Sequence, residues 1–163
     1  MNRILGSMRQ IDDKRGAVRV EDVYATDIAD LWSAITEPHR LARWIATVEG
    51  DRRVGGILQM RFTSTWEGPG RIDVCDAPSH LVVTTEPGTD DEAVIEAVLT
   101  AERERTRLVI EERGLPLERL YRHGAGWQAH IEDLGRHLAG AGSDWRARWE
   151  ELTPAYQTLG LSK

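Results

Sequence analysis

The chain has 163 residues, a single cysteine and a formal net charge of −6, with acidic and basic residues mixed along its length. That length is ordinary for one domain and buries enough surface to need neither disulfide nor metal. A lone Cys75 excludes an intramolecular disulfide and zinc-ribbon spacing, and no Lys/Arg run denser than Arg52-Arg53 offers the clustered positive face that nucleic acid requires.

Residues 1–16 read as a flexible N-terminal segment. Met1 to Ile11 hold Arg3 and no apolar run, too polar for a signal peptide, and nothing later approaches a membrane span. Gly6-Ser7-Met8, a cloning scar or the natural start, is set aside from the fold. The domain over 17–140 opens with Val18, Val20 and Tyr24 among charged neighbours, a strand with one face buried. Thr26 or Asp27 caps a short helix in which Ile28, Leu31, Trp32 and Ile35 recur at helical spacing. Thr36-Glu37-Pro38 resets the chain, and Pro38 suits the first turn of a second short helix through Leu41 toward Trp44.

After Gly50 the period changes to two. Val54-Gly55-Gly56 turns, and Leu58, Met60 and Phe62 alternate as a strand. Glu67-Gly68-Pro69-Gly70 breaks the chain before a further alternation at Ile72 and Val74. Asp76-Ala77-Pro78-Ser79 turns again, and His80 to Thr85 is β-branched and strand-like. Ala93 to Glu102 and Thr106 to Glu112 form a hairpin across Arg103-Glu104-Arg105. Strands in succession without intervening helices make an antiparallel meander.

From Glu118 the helical period returns. Leu120, Gly124, Trp127, Ile131, Leu134 and Leu138 form one apolar stripe, predicting a helix to Ala139 about 33 Å long. Gly124 and Gly126 each cost about 1 kcal/mol inside a helix. They let the helix approach the sheet, bend it, leave room for a ligand, or mark its true start at Trp127. Gly140-Ala141-Gly142 ends the helix. Residues 141–163 form an extension whose Trp145, Trp149 and Leu152 fall in a short helix, ended before Pro154 and packed back on the domain.

The stretch Asp30-Leu31-Trp32-Ser33-Ala34-Ile35-Thr36-Glu37-Pro38-His39-Arg40-Leu41-Ala42-Arg43-Trp44 carries a family resemblance. It is similar to the helix-helix signature of the family named after the activator of the heat-shock-protein-90 ATPase, within the START-like (SRPBCC) superfamily. Val54-Gly55-Gly56, the strand from Gly70, Thr106-Arg107-Leu108 and the pair Gly126-Trp127 match in the same order. The resemblance covers Val18 to about Ala139. It implies an α+β helix-grip fold, a curved antiparallel sheet around a long C-terminal helix, with two short helices after the first strand. It also implies a cavity between sheet and helix. Relatives bind lipids, polyketides or other bulky apolar molecules, some act as cyclases, some serve enediyne self-resistance by sequestration or self-sacrifice, and others are co-chaperones.

Six tryptophans stand beside one phenylalanine. Trp66 and Trp127, with Tyr24, Met60, Phe62, Ile72, Tyr121 and Ile131, are the candidate lining for a flat apolar ligand. Arg43 and His123, with Tyr24 and Glu49, are candidates to orient it. His123, His130 and His137 recur every seven residues, about 10 Å apart along a helix, too far for one metal ion, and read as polar flanks of the stripe. Glu49, Asp51, Glu67 and Asp73 read as solvated carboxylates, and Cys75 as a small buried hydrophobe. No nucleophile elbow, phosphate loop or dinucleotide fingerprint occurs. The expectation is therefore a cytoplasmic monomer or weak dimer that binds a hydrophobic small molecule, with no catalytic residue, cofactor or metal. A protein partner held on the Trp145–Leu152 tail and a polyketide cyclase or hydrolase are the alternatives.

Overall fold

The computed structural model describes residues 3–162. Eight strands form one antiparallel sheet in the order β1-β2-β8-β7-β6-β5-β4-β3. The strands are β1 (Gly6–Gln10), β2 (Arg15–Tyr24), β3 (Ala46–Gly50), β4 (Ile57–Phe62), β5 (Glu67–Asp76), β6 (His80–Thr85), β7 (Ala93–Glu102) and β8 (Arg105–Pro116). Helices α1 (Ile28–Thr36) and α2 (Pro38–Trp44) follow β2, and the grip helix α3 (Leu120–Leu138) follows β8 after one 3-10 turn at Leu117–Arg119. Helix α4 (Trp145–Leu159) packs against α3. This is the helix-grip arrangement. No helix among the described residues is long and apolar enough to cross a membrane.

Local chemistry explains most element ends. The Asp27 carboxylate accepts from the Asp30 amide at 2.8 Å and caps α1, and Pro38 opens α2 where its missing N–H is not needed. Asp27→Ala is expected to remove about 1 kcal/mol of stability, read as a lower urea midpoint with unchanged slope. Gly140, at φ 81°, leaves α3 in the left-handed conformation that favours glycine.

Four expectations are corrected. The segment read as flexible carries β1, which pairs with β2 from Gly6↔Val20 to Gln10↔Gly16 and buries Met8. It is held from afar: the Leu5 amide donates to Gln128 Oε1 (2.9 Å), and Gln128 Nε2 donates to the Arg3 carbonyl (2.7 Å). Glu67–Gly70 does not break the chain but begins β5, because Pro69 needs only its carbonyl, which accepts from the Glu86 amide at 3.0 Å. The turn falls earlier, where Thr65 takes φ 76°. Helix α4 does not stop before Pro154 but runs through it, since Glu150, four residues back, is exposed and its carbonyl can turn to water. Cys75 is exposed rather than buried.

The two helical glycines answer to α4. A Cβ on Gly124 would come within 2.6 Å of Tyr156 Cδ1, and one on Gly126 within 3.4 Å of Trp145 Cζ2. They are cradles for aromatic rings of the second helix, with no bearing on the sheet. Tyr156 is fully buried and donates to Gln128 Oε1 at 2.6 Å. The indole N–H of Trp145 donates to the Gly126 carbonyl (3.0 Å) and that of Trp149 to the Arg122 carbonyl (3.1 Å). Because the sheet covers one side of α3 and α4 the other, every residue from Gly124 to Ile131 is buried.

Candidate functional site

The interior does not close into one core. Leu58, Met60 and Ile72 of β4 and β5 form a hydrophobic cluster apart from the main core, in which α3 meets β2, β7 and β8. Between the sheet and the helices lie two chambers of about 440 Å³ each, both open to solvent. Phe62, Ile95 and Trp127 line both and form the partition.

The first chamber is apolar. Leu58, Met60 and Ile72 wall it from the sheet, and Trp32, Ile35 and Leu41 from α1 and α2, while Arg52 and Arg53 stand at its rim. The alternation of β4 explains this wall, since Leu58, Met60 and Phe62 share the inward parity.

The second chamber is mixed. On β8, Leu108, Ile110 and Glu112 share one parity, so the strand that delivers two core residues also delivers a carboxylate to the interior. Glu112 is 8% exposed, and its Oε1 accepts from Trp127 Nε1 at 2.9 Å. His123 Nδ1 lies 3.5 Å from the same oxygen. Helix α4 adds Trp145 and Trp149, stacked with their planes 14° apart.

His130 sits among these rings, with centroids 5.7 Å from Phe62, 5.4 Å from Trp127 and 5.5 Å from Trp145. Its Nδ1 is buried without a hydrogen-bond partner among the described residues, and burial pulls its pKa down to about 3, so the imidazole is neutral. This corrects its reading as a polar flank. His137 does stand at the edge, accepting from Arg40 Nε at 3.1 Å.

The structure brings six of the candidate residues to the chambers: Met60, Phe62, Trp66, Ile72, His123 and Trp127. Four others line neither. The Tyr24 hydroxyl is spent on the Ile131 carbonyl at 2.7 Å, and burial raises its pKa well above the ordinary tyrosine value. Ile131 itself is sealed in the core, Arg43 is exposed, and Tyr121 lies under the Arg122 guanidinium at 5.7 Å. Glu49, Asp51, Glu67 and Asp73 face neither chamber, and the last three pair with Arg53, Arg61 and Arg71. Glu112, His130, Trp145 and Trp149 went unassigned to the site, although the parity of Glu112 with Leu108 and Ile110 was visible in the sequence.

The family model of activator of Hsp90 ATPase homolog 1-like proteins matches residues 25–139, from the end of β2 through α3. The chain belongs to this family. No curated protein matches it. Among solved structures, CalU16 from Micromonospora echinospora superposes with a TM-score of 0.75 at 23% identity, over 94% of each chain. DynU16, from the dynemicin biosynthetic locus, gives 0.72 at 25% identity over 80% of this chain, which spans only 51% of DynU16. PFC0360w, an HSP90 activator from Plasmodium falciparum, gives 0.63 at 18% identity over 76% of this chain and 96% of its own. The family match ends before α4, so Trp145 and Trp149 enter the second chamber from outside the matched region.

Proposed function

We propose that this protein binds a bulky hydrophobic or aromatic small molecule, such as a lipid or polyketide, between the sheet and α3 without transforming it. The observation that carries this reading is the divided core. Protein interiors are packed like organic crystals, yet the β4–β5 cluster stands apart from the rest across an apolar space of about 440 Å³. Pockets for small ligands run to roughly 300–1,000 Å³ and are walled mainly by apolar and aromatic side chains.

The likeness to DynU16 supports a natural product as the ligand, and with it sequestration in enediyne-type self-resistance or delivery as the use. The reading as a protein-interaction module has less support. It needed an exposed tail and a filled interior, whereas Trp145 and Leu152 are buried.

Tryptophan fluorescence titrated with fatty acids, flavonoids, polyketides and enediynes is the direct test. Saturable quenching is expected with at least one class, because Trp127 stands in the partition. Met60→Phe, which narrows the apolar chamber, is expected to weaken that binding at least about tenfold, roughly 1.4 kcal/mol. A panel that leaves the fluorescence unchanged would sink the reading.

A further inference from the structure

Glu112 is a buried residue with one carboxylate oxygen left unpartnered. Its Oε1 is held by the Trp127 indole, while Oε2 has no hydrogen-bond partner among the described residues. No lysine or arginine reaches it; its one ion-pair neighbour is His123, at 3.5 Å and about two-fifths exposed. Oε2 faces a chamber open to solvent, so it is free to take a donor or a cation that enters there.

The walls point to the same partner. Phe62, Trp66, Trp127, Trp145 and Trp149 present aromatic surface to the chamber. A cation over such rings is attracted by their negative faces, more strongly when desolvated. The mouth carries three arginines, Arg15, Arg119 and Arg122, against Glu86 and Asp91, and Glu112 brings the lining to three charges of each sign. Arg15 is engaged by the carbonyls of Asp90 (2.9 Å) and Gly114 (3.4 Å). Glu112 is the one of these six that is buried, and so the charge that a ligand meets among the rings. His130, neutral above about pH 3, does not repel a cation.

We infer that the second chamber takes a protonated amine carried on a bulky apolar molecule, with the ammonium on Glu112 and the hydrocarbon against the tryptophans of α3 and α4. The inference rests on the binding function proposed above and narrows it to basic, amphipathic ligands.

Three probes with one ring system test it: 9-(aminomethyl)anthracene, 9-(hydroxymethyl)anthracene and anthracene-9-carboxylate, titrated against tryptophan fluorescence at neutral pH. The aminomethyl probe is expected to bind at least about tenfold tighter than the hydroxymethyl probe, and the carboxylate weakest. Glu112→Gln keeps an acceptor for the Trp127 indole. It is expected to erase the preference for the amine while leaving the hydroxymethyl affinity unchanged. Equal affinities in the wild-type protein, or tightest binding of the carboxylate, overturn the amine and leave the binding function standing. A preference that survives in Glu112→Gln overturns the assignment to Glu112. Binding of none of the three overturns the second chamber as a ligand site, while the apolar chamber stands or falls by the panel above. The wild-type series decides the ligand class even if the variant fails to fold.

Discussion

Tyr156→Ala is expected to cost about 3–5 kcal/mol and to loosen α4 from α3, because a fully buried aromatic ring leaves a cavity that two helices cannot close. The ring lies on Gly124, where a Cβ would meet it at 2.6 Å, and its hydroxyl donates to Gln128, which also anchors the N-terminal segment. Loss of Tyr156 thus reaches β1 as well as α4. Trp145 and Trp149 would gain exposure, seen as a red shift in tryptophan emission. Gly124→Ala supplies the sharper test, since its effect is expected to change sign. In the wild-type protein the new methyl collides with the ring, an overpacking cost of about 1–3 kcal/mol against a helix-propensity gain of about 1 kcal/mol. In Tyr156→Ala the collision is gone, so the same substitution should stabilise by about 1 kcal/mol. Urea unfolding of the four proteins measures the coupling. Additive effects would mean that Gly124 is not a cradle for Tyr156.

The legible part of the fold was written in local chemistry. Asp27 and Pro38 mark two helix starts, and the strict alternation in β4 and β8 fixes which residues face inward. β3 escaped because its inward side chains are only Ala46 and the half-buried Val48, which leave little periodic signal. β1 escaped because its anchor is Gln128, more than 120 residues away in sequence, which no local pattern encodes.

The differences at the site have separate origins. A helix that stops before Pro154 leaves out Tyr156, and with it the ring that lies on Gly124. Trp145 stands before Pro154, but nothing local to it names the face of α3 that it meets, so Gly126 lacks its partner and His130 reads as a polar flank. The long α4 supplies Tyr156 for one glycine, Trp145 for the other, and a lid over the histidine. Tyr24 was misassigned for a different reason. A tyrosine hydroxyl can orient a ligand or satisfy a backbone carbonyl, and composition does not distinguish the two; here it serves the Ile131 carbonyl.

Acid is expected to unfold the wild-type protein through His130 before most other groups titrate. The imidazole has a pKa of about 3 in the fold against 6.5 when free, and burial is the cause. Between those values the unfolded chain holds one more proton than the folded one, so stability is lost as pH falls, by about 1.4 kcal/mol per unit. His130→Leu retains apolar packing against Phe62, Trp127 and Trp145 and removes both the titration and the unpartnered Nδ1. Near-isosteric exchange in a core costs less than about 1.5 kcal/mol at neutral pH. By pH 4.5, two units below the free value, the variant should have gained about 3 kcal/mol on the wild-type protein. Carboxylates held below the usual range, Asp30 by the Thr26 hydroxyl and then Arg40, and Glu96 by His80 and then Arg113, titrate equally in both proteins and cancel in the difference. Urea midpoints of the pair from pH 7.5 to 4.5 give that difference directly. Parallel curves would place a proton acceptor or water beside His130 in the fold and withdraw the neutral imidazole from the chamber.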